Sequence, residues 1–154
     1  MPTQAPDVIA TTGHVGINVT EIDRSVAFYR AILGLDVLNR SDENGKRFAF
    51  LGAHGKLVLT LWEQATSPFG VTVAGLHHLS FVVSDIAAVR SAELRVRAAG
   101  AKLRYDGIVP HREGASSGGI FFEDPDGTRL EIYAPAGANT APAPSGTAPT
   151  CGFF

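Results

Sequence analysis

GHVGINVTEIDRSVAFY (Gly13–Tyr29) is answered 64 residues later by HHLSFVVSDIAAVRSAE (His77–Glu93). Both stretches run in the same order: a His, an alternating apolar strand, a short polar-acidic turn and a helix. In the first, Val15, Ile17 and Val19 share one side of an extended chain, and His14, Gly16 and Asn18 share the other. In the second, Leu79, Phe81 and Val83 oppose His78, Ser80 and Val82. His14 and His78 therefore occupy the same point of a repeat. Each lies on the face away from the main apolar stripe, which favours a cavity-facing role for the pair.

The repeat extends outward from these strands. Thr20 is the expected cap of the first helix, with Asp23 at the capping-box position. Ile22, Val26, Tyr29 and Leu33 form its stripe, and Gly34 ends it. Ser84 is the expected cap of the second, with Ile86, Val89, Val96 and Gly100 in the same parts. Three more strands are expected in each module. They fall near Asp36–Arg40, Arg47–Leu51 and Lys56–Trp62, then near Leu103–Gly107, Gly118–Glu123 and Thr128–Tyr133. NGK (Asn44–Lys46), HGK (His54–Lys56) and DPDG (Asp124–Gly127) supply turns between strands. His54 is thus expected to be an exposed turn residue. The expected fold is α+β: two βαβββ modules whose paired curved sheets can enclose a cleft.

The totals narrow the field. With 154 residues, 45% hydrophobic and 18% charged, the chain suits one globular domain with a core. A net charge of −2 gives no basic surface for nucleic acid. One Cys, Cys151, excludes an intramolecular disulfide framework. No run reaches membrane-spanning length, and MPTQAPDVIA does not read as a signal peptide, so a cytoplasmic location is expected. Residues 1–11 read as an arm, 12–135 as the domain and 136–154 as an Ala/Pro-rich tail. Within the domain, module 1 covers about 12–63, a linker 64–75, and module 2 about 76–134. The tail composition cannot fold alone. It nevertheless ends in Cys-Gly-Phe-Phe, so Phe153 and Phe154 either dock or are incidental.

RLEIY (Arg129–Tyr133) places Glu131 in the last strand. Two imidazoles and a carboxylate, His14, His78 and Glu131, can bind one face of a divalent metal and leave the other open. His77 could replace His78, although strand phase and repeat alignment favour His78. The cavity face of the last strand carries Arg129, Glu131 and Tyr133, and its counterpart in module 1 carries Val58, Thr60 and Trp62. Trp62 and Tyr133 either wall an aromatic pocket or only cover sheet. In the loop PHREGASSGG (Pro110–Gly119), His111 could act as acid/base and Arg112 could bind an anion. The alternative is a plain connecting loop.

GHVGINVTEIDRSVAFYRAILGLDV (13–37), HHLSFVV (77–83) and FFEDPDGTRLEIY (121–133) together resemble the vicinal oxygen chelate superfamily. It includes glyoxalase I, extradiol dioxygenases, fosfomycin-resistance enzymes and bleomycin-resistance binding proteins. The resemblance implies paired βαβββ modules around a metal that substrate oxygens chelate. It maps the metal ligands onto His14, His78 and Glu131. Thr60 falls at a fourth position that some glyoxalases fill with a carboxylate, so a three-ligand site is implied, as in the dioxygenases and fosfomycin enzymes. The metal could be Fe(II), Mn, Zn or Ni. The expected function is a metal-dependent enzyme of the glyoxalase/dioxygenase type acting on a small vicinally oxygenated substrate. Glu131 and His111 would be catalytic, and Thr60, Trp62, Arg112 and Tyr133 would contact substrate. A bleomycin-resistance-like binding protein and a fosfomycin-type transferase are the alternatives. Two-module relatives commonly form homodimers, and some share sites between chains. A homodimer is therefore expected, with His14 able to serve a site in the other copy.

Overall fold

The computed structural model describes residues 9–154; the first eight residues of the expected arm lie outside the described part. β1 (Val15–Val19) buries Ile17 and Val19 and leaves Gly16 and Asn18 on its open side. α1 (Ile22–Leu33), β2 (Asp36–Ser41), β3 (Phe48–Ala53) and β4 (Lys56–Glu63) complete the first module. The second repeats the order with β5 (Leu79–Val82), α2 (Ile86–Ala98), β6 (Val109–Pro110), β7 (Gly118–Glu123) and β8 (Arg129–Ala134). The sheets have the orders β1-β4-β3-β2 and β5-β8-β7-β6. In each, the first strand runs parallel to the last and the other pairs are antiparallel. The duplication holds in register at the first and last strands of each module: Gly16 faces Thr60 as Ser80 faces Glu131. This is the α+β architecture of two βαβββ modules that the repeat implies.

Both helices pack into one shared core. α1 contributes Ile22, Val26, Tyr29 and Ile32, and α2 contributes Val89, Ala92 and Val96. They meet Leu59 and Leu61 of the first sheet and Ile120, Phe122, Leu130 and Ile132 of the second. Each Val, Leu, Ile or Phe among them contributes about 1.5–3 kcal/mol on burial. Leu33, expected in the stripe, is only partly buried, and Ile32 takes the inner position. Gly34 ends α1 in the left-handed region (φ 68°), its N–H returning to the Arg30 carbonyl.

Three local expectations are corrected. Glu21, not Thr20, caps α1 and accepts from the Asp23 and Arg24 amides. Thr20 is drawn away because its backbone N–H and its hydroxyl both bond Asp126 of the other module. Asp85, not Ser84, caps α2 and accepts from the Ala88 amide; its charge suits a helix N-terminus. The strand expected at Leu103–Gly107 is reduced to one bridge from Leu103 to Phe122. A turn at Tyr105–Gly107, with Gly107 at φ 96°, interrupts the extended run, and pairing resumes only at Val109–Pro110. His54 lies exposed in the β3–β4 turn, as expected.

The DPDG turn also joins the modules. Asp124 Oδ1 accepts the Asp126 and Thr128 amides at 2.9 Å each, and Asp124 Oδ2 accepts the Tyr29 hydroxyl at 2.7 Å. Burial pushes the Tyr29 phenol well above its usual range, and the Asp124 charge adds to the effect. Tyr29→Phe would strip the buried carboxylate of a donor from the opposite module. It is expected to cost about 1.5–3 kcal/mol, the range for a hydrogen bond to a charged group. A urea titration would read this as a lower midpoint at unchanged slope. Among the described residues, no helix is long and apolar enough to cross a membrane.

Candidate metal centre

The open face of the second sheet carries Ser80 and Glu131 side by side, with Phe121 opposite Glu131 on β7. Glu131 is 2% exposed. Its Oε1 accepts from Ser80 Oγ at 3.1 Å and lies 2.9 Å from His111 Nε2. Its Oε2 is buried and has no hydrogen-bond partner. His78 Nε2 stands 3.8 Å from that oxygen. His78 Nδ1 lies 2.8 Å from His77 Nδ1, so Nε2 is the nitrogen turned toward the carboxylate. Burial pushes the His78 imidazole below its usual pKa against the pull of the Glu131 carboxylate, which favours the neutral form that metals bind.

A third donor comes from the tail. Ligand atoms of His78, Glu131 and Cys151 all lie within 4.8 Å of one another, the one such His/Cys/Asp/Glu group among the described residues. Burial pushes the Cys151 thiol up, and the Glu131 carboxylate adds to that. The cleft above these residues holds about 410 Å³ and is also lined by His111, Arg112 and Tyr133. His111 is held at both nitrogens, with Nδ1 2.9 Å from Ser117 Oγ, and its ring lies 4.9 Å from that of Tyr133. Arg112 is exposed at the rim.

The structure thus gathers His78, Glu131, His111, Arg112 and Tyr133. His14, Thr60 and Trp62 stand elsewhere in the same chain. His14 is exposed just before β1 and outside the ligand cluster. Thr60 accepts from Trp62 Nε1 at 3.0 Å, and Trp62 packs with Phe48 and Phe50 on the first sheet. Trp62 and Tyr133 therefore do not wall one pocket within a chain, because each belongs to its own module's sheet. His77 is exposed, near Arg129. Sequence reasoning missed Cys151, Ser80 and Ser117 as site residues. The odd apolar Cys-Gly-Phe-Phe end was the signal that could have found Cys151. Phe154 docks on Phe121 and His78, with ring centroids at 4.8 Å and 5.7 Å, whereas Phe153 is exposed.

Against this geometry, the sequence model described as Glyoxalase/Bleomycin resistance protein/Dioxygenase superfamily matches residues 11–132. The chain belongs to that superfamily. Its relatives include a catechol-2,3-dioxygenase from Bacillus subtilis (strain 168), 32% identical over 126 residues. That match covers 79% of this chain and 40% of the Bacillus protein, so the chain spans well under half the length of that relative. A lactoylglutathione lyase from Haemophilus influenzae is 32% identical over 131 residues, covering 77% of this chain and 88% of that enzyme. Among solved structures, a superfamily domain from Frankia sp. EAN1pec superposes with a TM-score of 0.68 at 27% identity, covering 82% of this chain and 98% of that one. The fosfomycin resistance protein FosX from Listeria monocytogenes shares the fold, with a TM-score of 0.64 at 18% identity, covering 82% and 94%. The match runs from just before β1 into β8, and His78 and Glu131 both lie inside it.

Proposed function

We propose that the chain is a metal-dependent enzyme of the glyoxalase/dioxygenase type, acting on a small substrate with two neighbouring oxygens. One observation carries this reading: Glu131 is buried with an oxygen that no group of the protein satisfies, 3.8 Å from His78 Nε2. Buried charges are expensive unless paired, and a bound cation is the partner this oxygen lacks. The donors fit one, since imidazole and carboxylate together suit Fe(II), Mn, Zn or Ni. The likeness to a catechol-2,3-dioxygenase and a lactoylglutathione lyase points to the same chemistry.

His78 and Glu131 would hold the ion on one copy, and His14 of a second copy would complete the set in a homodimer. His14 stands immediately before β1 as His78 stands immediately before β5, and the first sheet carries Thr60 where the second carries Glu131. When bound, the ion supplies Lewis acidity, or oxygen activation if it is iron. His111, fixed between Ser117 and Glu131, orients the carboxylate and can exchange a proton at Nε2. Arg112 attracts an anionic substrate at the rim, and Tyr133 walls the cleft. Thr60 and Trp62 of the second copy would meet substrate from the facing sheet. The protein would work in the cytoplasm.

Chain mixing tests this reading. His14→Ala and Glu131→Ala homodimers should each lack stoichiometric metal, and a heterodimer of the two should regain one intact site. Elemental analysis of the purified heterodimer reads the outcome. A metal-loaded wild type with an empty heterodimer would sink the shared site. A wild type that takes up no metal after anaerobic reconstitution with Fe(II), Mn, Zn and Ni would favour a bleomycin-resistance-like binding protein instead.

A further inference from the structure

We propose that Cys151 is itself a ligand of this metal, so that the tail forms a thiolate-bearing lid over the centre. The inference rests on the metal-centre reading above and adds a donor from outside the βαβββ modules.

The tail returns across the open face of the second sheet along a defined path. Ala138 is buried and its N–H donates to the Ser116 carbonyl at 2.8 Å. Glu113 binds the tail twice, its N–H donating to the Gly146 carbonyl at 2.8 Å and its Oε2 accepting the Ala143 N–H at 3.1 Å. Thr150 is fully buried. Its N–H donates to the His111 carbonyl and its hydroxyl to the Pro110 carbonyl, both at 2.7 Å. Phe154 then packs on Phe121 and His78, with the Arg129 guanidinium 5.8 Å from its ring centroid. Anchors thus lie on both sides of Cys151 and hold it within the 4.8 Å ligand cluster of His78 and Glu131.

A cysteine in such a place is not by itself a site. The independent observation is Glu131 Oε2, on a side chain 97% buried and without a partner in that same cluster. An imidazole, a carboxylate and a thiolate form a donor set suited to Zn or Co(II). As the sulfur–metal bond forms, the thiol proton leaves to solvent and the thiolate supplies the electron pair. With Cys151 as a ligand, the tail would compete with substrate oxygens for the ion, and residues 149–154 would have to move aside for substrate to bind.

Anaerobic titration of the full chain with Co(II) tests the ligand directly. Wild type should develop a near-ultraviolet thiolate-to-cobalt charge-transfer absorption. Cys151→Ser should lack that absorption and bind the ion roughly 10–100-fold more weakly, on the scale of losing a supporting metal interaction. Alkylation by iodoacetamide reports on the same group without any mutation, because Cys151 is the chain's one cysteine. Zn should slow it markedly in wild type. Co(II) bound without the thiolate band, with alkylation equally fast with and without Zn, would overturn the proposal and leave the His78–Glu131 centre standing. No uptake of either ion by wild type would instead bring down the centre and the lid together.

Discussion

Glu131→Gln is expected to weaken metal binding severely while leaving the metal-free protein at least as stable as wild type. The carboxylate sits 2% exposed with Oε1 bonded to Ser80 and His111 and Oε2 bonded to nothing. In the metal-free protein that orphaned oxygen is a liability of about 1–3 kcal/mol. The amide has the same shape, removes the charge and keeps an oxygen for Ser80 or His111. Its NH₂ group faces His78 Nε2, whose lone pair can accept. Metal affinity is expected to fall by at least ~100-fold, beyond the upper end of the effect of deleting a group that merely supports a ligand. Thermal unfolding with and without metal separates the two effects. Metal at 100 times its Kd should stabilise wild type by about 2.7 kcal/mol and the variant hardly at all. A structural glutamate would behave in the opposite way. If the metal-free variant lost several kcal/mol, or still gained stability from metal, Glu131 would be a packing residue and the centre would lie elsewhere.

The division between what was legible and what was not follows range of interaction. The repeat was legible because a period-two strand and a helical stripe are local patterns, and β1 and β5 each needed only a few residues to declare their faces. Equivalent register then carried Glu131 to its place beside Ser80, with His78 one strand step away. Sequence places the cap of α1 one residue early because Thr20 is claimed by Asp126, more than a hundred positions along the chain. β6 was misplaced because a turn at Tyr105–Gly107 outweighs the local apolar run. The tail was opaque for the same reason. Its Ala/Pro composition cannot fold alone, yet Thr150 and Phe154 find partners on β6, the following loop and β7 that no window along the sequence contains. Cys151 owes its position to those contacts.

Gly119→Ala should be the most damaging single-methyl change near the site. Gly119 on β7 pairs with Tyr133 on β8. A Cβ there would come within 1.9 Å of the Ile132 carbonyl oxygen and 2.6 Å of the Tyr133 Cα. Both obstacles are backbone, so no rotamer change relieves the overlap, and β8 itself must move. Overpacking costs about 1–3 kcal/mol where side chains can give way, and this site belongs at or above the top of that range. For a chain of this size each kcal/mol lowers the midpoint by about 2–4 °C, so a fall of roughly 6–12 °C is expected in differential scanning. The displaced stretch carries Glu131 and Tyr133, so metal affinity should fall together with stability. Gly13→Ala is the matched control, because a Cβ there meets nothing within 4 Å. It should change neither quantity. A Gly119→Ala protein as stable as that control would mean that β7 and β8 do not pair in this register, and the position of Glu131 opposite Phe121 would fall with it.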